Sequence, residues 1–201
     1  MAKLSRRSVM GGVGALASPA MASPITASSQ PGAQAWDVAP TPAPLPLDAH
    51  VNTGNGVRTL REWFDGRPTV LALWATWCGP CLAEKRPQAD MARRLAAAGA
   101  RTQIALLQIY DDVNLTQGRH VLRVLGASSL MNGEAQRDAE RAFMDLLGGS
   151  TTGQPRTSLP WHILIGANGT ELGRTLGLMR GTRGEYNYFE DDATFEFLRA
   201  L

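Results

Sequence analysis

Short apolar runs bounded by turn residues alternate with amphipathic segments along most of this chain. Residues 69–77 and 102–110 are apolar at successive positions, which predicts two strands that are buried on both faces. Residues 80–99 begin with Pro80 and stop at a glycine, which predicts a helix with a kink at Pro87. A strand, a helix and a strand in this order predict two parallel strands joined by a right-handed crossover.

The remaining elements follow from their own patterns. Residues 116–125 are predicted to be helical, and 133–149 have a clearer pattern, with apolar residues on one face. Residues 159–177 contain two apolar runs joined by an Asn-Gly pair, which predicts a β-hairpin. A polar turn at 52–56 predicts a hairpin or loop that leads into a short helix. The C-terminal segment has acids first and then apolar residues at helical spacing, which predicts a last helix.

The first 22 residues have the pattern of a signal peptide. Lys3, Arg6 and Arg7 precede a weakly apolar Gly/Ala stretch, and an A-x-A exit site ends at Ala22. The paired arginines resemble the twin-arginine export signal, whose substrates cross the membrane already folded. The apolar stretch is shorter than the roughly 20 residues that a spanning helix needs. We therefore expect residues 1–22 to direct export, with no stable membrane insertion of the mature protein.

The segment after the predicted leader has a different composition. Residues 23–44 are rich in Pro, Ala and Ser and have almost no charge, which predicts an extended linker. The folded domain is expected to span residues 45–201. A chain of 201 residues is long enough to bury a substantial core, and its two cysteines exclude a disulfide-rich small domain.

The net charge does not indicate a nucleic-acid partner. The chain has 20 Lys and Arg residues against 18 Asp and Glu residues, a formal net charge of +2. Three of those cations lie in the predicted leader, so the rest of the chain has a net charge of −1. No stripe of basic residues alternates with aromatic residues. We therefore expect no binding to nucleic acid.

Both cysteines of the chain lie at one predicted strand-to-helix junction. Cys78 and Cys81 are separated only by Gly79 and Pro80. The unpaired N–H groups and the dipole at a helix N-terminus favour a thiolate, so Cys78 is the expected nucleophile. Cys81, one turn further along, is expected to be more buried and to attack the mixed disulfide that Cys78 forms. Two thiols at this spacing make a reversible two-electron redox pair.

Three other interpretations of the cysteine pair compete with redox chemistry. A structural disulfide across such a short loop would contribute little stability, because the contribution grows with loop length. A metal site needs three or four ligands, whereas the chain has no second cysteine pair and His50, His120 and His162 are scattered. Two unrelated core cysteines would not need Gly-Pro between them. Redox chemistry is the best interpretation, with no metal and no cofactor besides the cysteine pair.

Three stretches carry a resemblance to a known family: "WATWCGPC" followed by Glu84, the preceding "GVRTLREWFDGRPTVLALWA", and "LPWHILIGANGTELGRTLG". Residues 45–200 resemble the exported thioredoxin-like thiol:disulfide oxidoreductases of the TlpA/ResA type. The resemblance implies an α/β thioredoxin fold, in which helices flank a central mixed β-sheet. An N-terminal β-hairpin and a helical insertion are expected in addition.

The resemblance also implies a groove for a substrate chain beside the cysteines. In this fold a cis-proline lies next to the cysteine pair and its backbone pairs with the substrate, and Leu159-Pro160 match that position. Trp161 follows, where family members commonly have Thr. Trp77 is expected to shield the disulfide and, with Gly79 and Pro80, to offer a docking surface.

The acid that handles the proton of the buried thiol is also implied by the resemblance. Thioredoxin has a buried Asp six residues before its first cysteine, where this chain has Ala72. Relatives of the TlpA/ResA type have a Glu three residues after the second cysteine, and Glu84 matches it. Residues three apart share a helix face, so Glu84 is expected to accept the Cys81 proton.

The function implied is protein thiol:disulfide exchange in the periplasm. Relatives typically receive electrons from a membrane thiol transporter and reduce cysteines of apocytochrome c or of copper-site proteins. Gly-Pro between the cysteines resembles strongly reducing thioredoxins, which favours a reductant. A different function stays open, in which the two thiolates bind Cu(I) in a metallochaperone with His162 nearby.

Overall fold

The structure is a computed structural model of the chain. It describes the following residues: 32–37, 44–110, 114–147, 158–181 and 187–201. The predicted leader, residues 1–22, lies outside the described residues, as does most of the predicted linker.

A seven-stranded mixed sheet forms the centre of the domain, in the order β2-β1-β5-β4-β3-β6-β7. The three inner strands β5, β4 and β3 are parallel, and the hairpins β1-β2 and β6-β7 add antiparallel strands at the two sides. The strands are β1 (His50–Asn52), β2 (Val57–Thr59), β3 (Thr69–Trp74), β4 (Gln103–Gln108), β5 (Met131–Ala135), β6 (Trp161–Ile165) and β7 (Glu171–Leu176).

Six α-helices and two short 3-10 helices are present in the described residues. The α-helices are α1 (Leu60–Phe64), α2 (Gly79–Ala83), α3 (Lys85–Ala97), α4 (Leu115–Val124), α5 (Arg137–Leu146) and α6 (Asp192–Arg199). The 3-10 helices are Ala33–Ala35 and Tyr188–Glu190.

The core has two halves, one on each face of the sheet. Every residue of β3 and of β4 is buried, as their continuous apolar runs predict. Alternate residues of β3 point to opposite faces, so Ala72 and Trp74 lie in the half that also holds both cysteines. Leu71 and Leu73 lie in the other half, with α1 and α5.

The prediction of one helix over 133–149 is wrong in its first part. Met131–Ala135 form strand β5, parallel to β4, and the helix α5 begins only at Arg137. The local sequence has no β-branched residues and therefore does not indicate a strand by itself. The pairing of this segment with β4 overrides its helical pattern. Gly133 shows how close the packing is, because a Cβ built there would lie 2.4 Å from Val51 Cγ2.

The helix predicted over 80–99 is present as two helices that meet at Glu84. Proline has no N–H for the carbonyl four residues earlier, and its ring clashes with that carbonyl. Pro87 lies in the first turn of α3, where a missing N–H is tolerated. The interruption therefore falls at Glu84, three residues before Pro87, instead of at the proline itself.

Part of the segment predicted as a linker packs on the domain. Trp36 is 6 % exposed, and its indole N–H donates to the hydroxyl of Tyr188 at 2.7 Å. That hydroxyl donates to the carbonyl of Gly32 at 2.9 Å, and Asp37 pairs with Arg174 in an isolated antiparallel bridge. Residues 32–37 thus belong to the folded unit, because Trp36 buries a large apolar side chain. The average composition of residues 23–44, on which the linker prediction rests, does not indicate the effect of this one residue.

A Trp36→Ala variant is expected to lower the free energy of unfolding by about 3 kcal/mol, since it opens a cavity and leaves the Tyr188 hydroxyl without one partner. Urea unfolding followed by circular dichroism measures this as a lower transition midpoint. The matched control is Trp77→Ala, the same deletion at a side chain that is 61 % exposed. An equal loss in both variants would contradict the packing of residues 32–37.

Candidate redox site

The cysteine pair lies at the start of α2, directly after the loop that follows β3. Cys78 is the N-cap residue of this helix, and its Sγ accepts a hydrogen bond from the Cys81 N–H at 3.2 Å. The two cysteines form a disulfide with a Cα–Cα distance of 5.2 Å. The cysteine pair therefore lies at the junction of a buried strand and a helix, as the sequence predicts.

Both cysteines are buried, but they differ in how close they lie to the surface. Cys81 is fully buried, while Cys78 is 4 % exposed. Gly79, Pro80 and Trp77 beside them are exposed, and the Trp77 indole N–H donates to the carbonyl of Tyr110 at 3.0 Å. A partner that reaches this disulfide thus meets a flat surface made of these three exposed residues.

The segment before β6 approaches the same end of the sheet. The Leu159–Pro160 peptide bond is cis. Trp161 opens β6 opposite Leu73 of the antiparallel strand β3, so Pro160 lies at the end of the sheet from which the chain leads to Cys78. The Pro160 carbonyl accepts from Gly177 N–H at 2.8 Å, whereas the Leu159 backbone makes no backbone hydrogen bond to another described residue.

Glu84 is fully buried at the junction of α2 and α3. Its Oε1 accepts a hydrogen bond from the backbone N–H of Met179 at 2.9 Å. Its Oε2 lies 2.9 Å from Nε2 of His162, which is also fully buried. His162 stands on β6 directly opposite Ala72, the residue that occupies the position of thioredoxin's buried Asp. A buried carboxylate with a histidine partner therefore lies one helical turn from Cys81.

The polar cluster continues into the first turn of α3. The Gln88 amide N–H donates to Glu84 Oε2 at 3.5 Å, and the Gln88 Oε1 accepts from Lys85 Nζ at 3.2 Å. Lys85 Nζ also lies 5.2 Å from the centroid of the Trp74 ring. Desolvation lowers the pKa of the fully buried Lys85 to about 7, although nearby Glu84 opposes that shift.

The sequence does not single out Lys85 and Gln88 as site residues, and it indicates His162 only as a neighbour of the cysteines in the Cu(I)-binding alternative. A signal for the first two is present, because positions 85, 88, 92 and 95 fall on one stripe of α3 and that stripe faces the core. His162 gives no such signal, since its pairing with Glu84 depends on the register of β6 against β3.

The three histidines are not brought together. Nδ1 of His50 lies 2.7 Å from the Asp138 carboxylate, Nδ1 of His120 lies 2.7 Å from an Arg123 nitrogen, and His162 pairs with Glu84. Among the residues that the structure covers, no three His, Cys, Asp or Glu side chains are grouped to hold a metal ion.

A cavity of about 880 Å³ lies elsewhere, between α4 and the β1-β2 hairpin. Arg58, Arg119 and Arg123 line it together with Trp63, and neither cysteine does. This cavity is therefore not part of the candidate redox site.

The helices in the described parts of the chain are all too short or too polar to cross a membrane.

No protein-family model and no curated protein matches this sequence. Solved structures do match. A thiol:disulfide interchange protein of the thioredoxin family from Chlorobium tepidum is 19 % identical, over 80 % of this chain and 99 % of that one, with a TM-score of 0.57. A thiol:disulfide interchange protein from Bacteroides sp. is 14 % identical, over 80 % of this chain and 89 % of that one, also with a TM-score of 0.57.

The exposed lipoprotein thioredoxin of Streptococcus pneumoniae is 17 % identical, over 76 % of this chain and 98 % of that one, with a TM-score of 0.52. At these identities the likeness concerns the fold. The mixed sheet, the flanking helices and these neighbours confirm the α/β fold predicted from the motif: the chain has the thioredoxin fold.

Proposed function

We propose that this protein is a thiol:disulfide oxidoreductase that exchanges disulfides with protein substrates through Cys78 and Cys81. The observation that carries the proposal is the disulfide itself, whose outer sulfur borders an exposed surface while its inner sulfur is sealed in the core. A structural disulfide would gain little from closing so short a loop. Cys78, which lies beside exposed residues, would attack the substrate, and the fully buried Cys81 would resolve the mixed disulfide.

The reaction in the reducing direction has two steps. The Cys78 thiolate attacks a substrate disulfide, forms a mixed disulfide and releases one substrate thiolate, which takes up a proton. Cys81 then gives its proton to Glu84 and attacks Cys78 Sγ, which forms the Cys78–Cys81 bond and releases the second substrate thiolate. The substrate gains two electrons and two protons, and the dithiol loses them; a dithiol donor restores it.

Substrate binding is assigned to the surface around the disulfide. Trp77, Gly79 and Pro80 supply an apolar platform beside Cys78, and Leu159 has backbone groups available for pairing with an extended substrate chain. We also assign Trp161 to the edge of this groove, although its half-buried side chain packs against the half of the core opposite the cysteines. These residues contact backbone and apolar groups, which suits protein substrates of varied sequence.

The proposed location is the periplasm of a bacterial cell, where the protein acts as a reductant. The leader pattern supports export, and a membrane thiol donor would supply the electrons, because an oxidising compartment does not. The cysteines of apocytochromes c or of copper-site proteins are the proposed targets. Fractionation of cells that express the full chain tests export: Arg6→Lys with Arg7→Lys is expected to retain the protein in the cytoplasm, and unchanged export would refute the twin-arginine route.

The reduction potential of the Cys78/Cys81 couple tests the proposed activity. Purified, metal-free protein is equilibrated with dithiothreitol and glutathione buffers, and the oxidised fraction is measured by alkylation and mass spectrometry. A value near about −270 mV, as in thioredoxin, is expected for a reductant, whereas a value near about −120 mV, as in DsbA, would make the protein an oxidant. Failure to form an internal disulfide would overturn the function altogether.

A further inference from the structure

Lysine is rare in this chain, and one of its two lysines lies next to Glu84. The 20 basic residues include only two lysines, Lys3 in the predicted leader and Lys85 next to Glu84. All other basic residues are arginines, which stay charged at any physiological pH, whereas a lysine can release its proton when it is buried. Lys85 is fully buried. The one lysine of the folded domain thus stands where a charge can be switched.

The side chain of Gln88 bridges the Lys85 ammonium and the Glu84 carboxylate by hydrogen bonds. Its ammonium donates to Gln88 Oε1 at 3.2 Å, and the Gln88 amide N–H donates to Glu84 Oε2 at 3.5 Å. Gln88 therefore bridges the amine and the carboxylate, both of which are removed from water. In such surroundings the charge of one group strongly affects the other.

Within the described part of the chain, His162 is the titratable side chain of another element that contacts this bridge. Trp74 of β3 places its ring against Lys85 and donates its indole N–H to Asn132 at 3.1 Å. The Tyr188–Glu190 helix contributes the Phe189 ring, 5.8 Å from His162. The Met179 backbone N–H donates to Glu84. Burial lowers the pKa of Lys85, and among the described residues Glu84 is the charged group that raises it.

His162 turns one ring nitrogen, Nε2, toward both Glu84 and Gln88, whose amide nitrogen lies 3.3 Å away. Its Nε2 faces the carboxylate at 2.9 Å, while its buried Nδ1 has no hydrogen-bond partner among the described residues. An imidazolium would leave a charged N–H without a partner in the core, which costs far more than an unused lone pair. The proton between His162 and Glu84 is therefore assigned to Nε2, and the positive charge that balances Glu84 is assigned to Lys85.

We propose that Lys85 is the titrating countercharge of Glu84, and that loss of its proton makes Glu84 the stronger acceptor for the proton of Cys81. While Lys85 is charged, its ammonium, bridged to Glu84 through Gln88, stabilises the carboxylate and opposes the arrival of a proton there. Once Lys85 is neutral, that opposition is removed and the transfer of the Cys81 proton to Glu84 meets less resistance. Lys85 touches no reacting atom, so it is a positioning residue that acts through Glu84.

This inference rests on the proposed function and adds a pH range to it. In the resolving step one proton passes from Cys81 to Glu84 while Cys81 attacks Cys78 Sγ. The pKa of Lys85 lies near 7 because of burial. The rate of resolution is therefore expected to rise between about pH 6 and pH 8 with the midpoint of the Lys85 titration.

Because lysine is so rare, the Lys85 titration can be observed directly. The full chain labelled with 13C-lysine gives two side-chain signals, and Lys3→Arg assigns them. A Lys85 midpoint near neutral pH, well below the roughly 10.4 of a free lysine, is the expected result. A midpoint above about pH 9.5 would overturn the proposal, because Lys85 would then stay charged throughout the working range.

Kinetics of the same protein give the second measurement. Reduced protein is mixed with oxidised glutathione, and the conversion of the Cys78 mixed disulfide into the internal disulfide is followed from pH 6 to 8.5. Lys85→Arg, which keeps its charge, is expected to match the wild type at pH 6 and to be about tenfold slower at pH 8. Lys85→Met has no proton to release at this position. Its resolution rate is therefore expected to lose the pH midpoint that the wild type shares with the NMR titration of Lys85.

The outcomes separate this inference from the proposed function. A wild type that forms no internal disulfide refutes the function, whereas a working wild type whose pH midpoint persists in Lys85→Arg and Lys85→Met refutes only the role of Lys85. A merely structural Lys85 would change the stability without moving that midpoint. Chemical unfolding of both variants shows that they are folded, and the NMR titration of the wild type stands even if one variant does not fold.

Discussion

Replacing Cys81 with serine is expected to give a protein that attacks a disulfide once and then stops. Cys78 still attacks and forms a mixed disulfide, but no second thiol is present to resolve it. Turnover with a protein disulfide substrate should fall by at least about 10³-fold, and the stalled adduct should accumulate. Mass spectrometry of the variant after treatment with oxidised glutathione measures the adduct, and its position identifies the attacking cysteine.

Cys78→Ser is the matched control for this experiment. Cys81 is fully buried beneath the surface, so the variant that retains it alone is expected to form no adduct with a protein disulfide. Each serine variant replaces one sulfur atom with oxygen. A difference in adduct formation between the two variants therefore reports on the position of the remaining cysteine. Equal adduct formation by both would contradict the division into an attacking and a resolving cysteine.

Replacing Glu84 with glutamine should slow the resolving step by about 10²-fold and leave the first attack by Cys78 nearly unchanged. Glutamine has almost the same shape, and its carbonyl oxygen can still accept from the Met179 N–H, but its amide cannot accept the Cys81 proton. Stopped-flow fluorescence separates the two steps, because the first depends on disulfide concentration and the second does not.

Glu196→Gln provides the control for Glu84→Gln, since Glu196 lies exposed on α6 and, among the described residues, forms an ion pair with Arg199. Its rates in both steps are expected to equal those of the wild type. If Glu84→Gln slowed the bimolecular attack as much as the resolving step, Glu84 would act by holding the structure of the site, and its assignment as proton acceptor would be wrong.

The position of the cysteine pair at the start of a helix could be predicted from the sequence because it depends on local order. An apolar run, two cysteines with Gly79 and Pro80 between them, and a helical pattern are contiguous, and each restricts the backbone by itself. The hairpin at 159–177 follows from local turn chemistry in the same way, and the structure places it as β6 and β7.

Two elements could not be predicted, because their structure depends on segments that are close in space but distant in sequence. Met131–Ala135 pair with β4 and β1 as a strand although the sequence has a helical pattern there. Trp36 lies in a segment of linker composition, yet it becomes ordered because Tyr188, more than a hundred residues later, provides a partner. Local propensity is weak beside the contacts that such pairings supply.

The sequence by itself determined the local order of the site: which residues are the cysteines, which one caps the helix, and which glutamate follows one turn later. Only the tertiary structure decided what surrounds that glutamate. The register that sets His162 opposite Ala72, and the packing that buries Lys85 and Gln88 under Trp74, join residues from separate elements. The physical reason is that covalent order fixes near neighbours, whereas burial, which controls the charges, depends on how the sheet and helices pack.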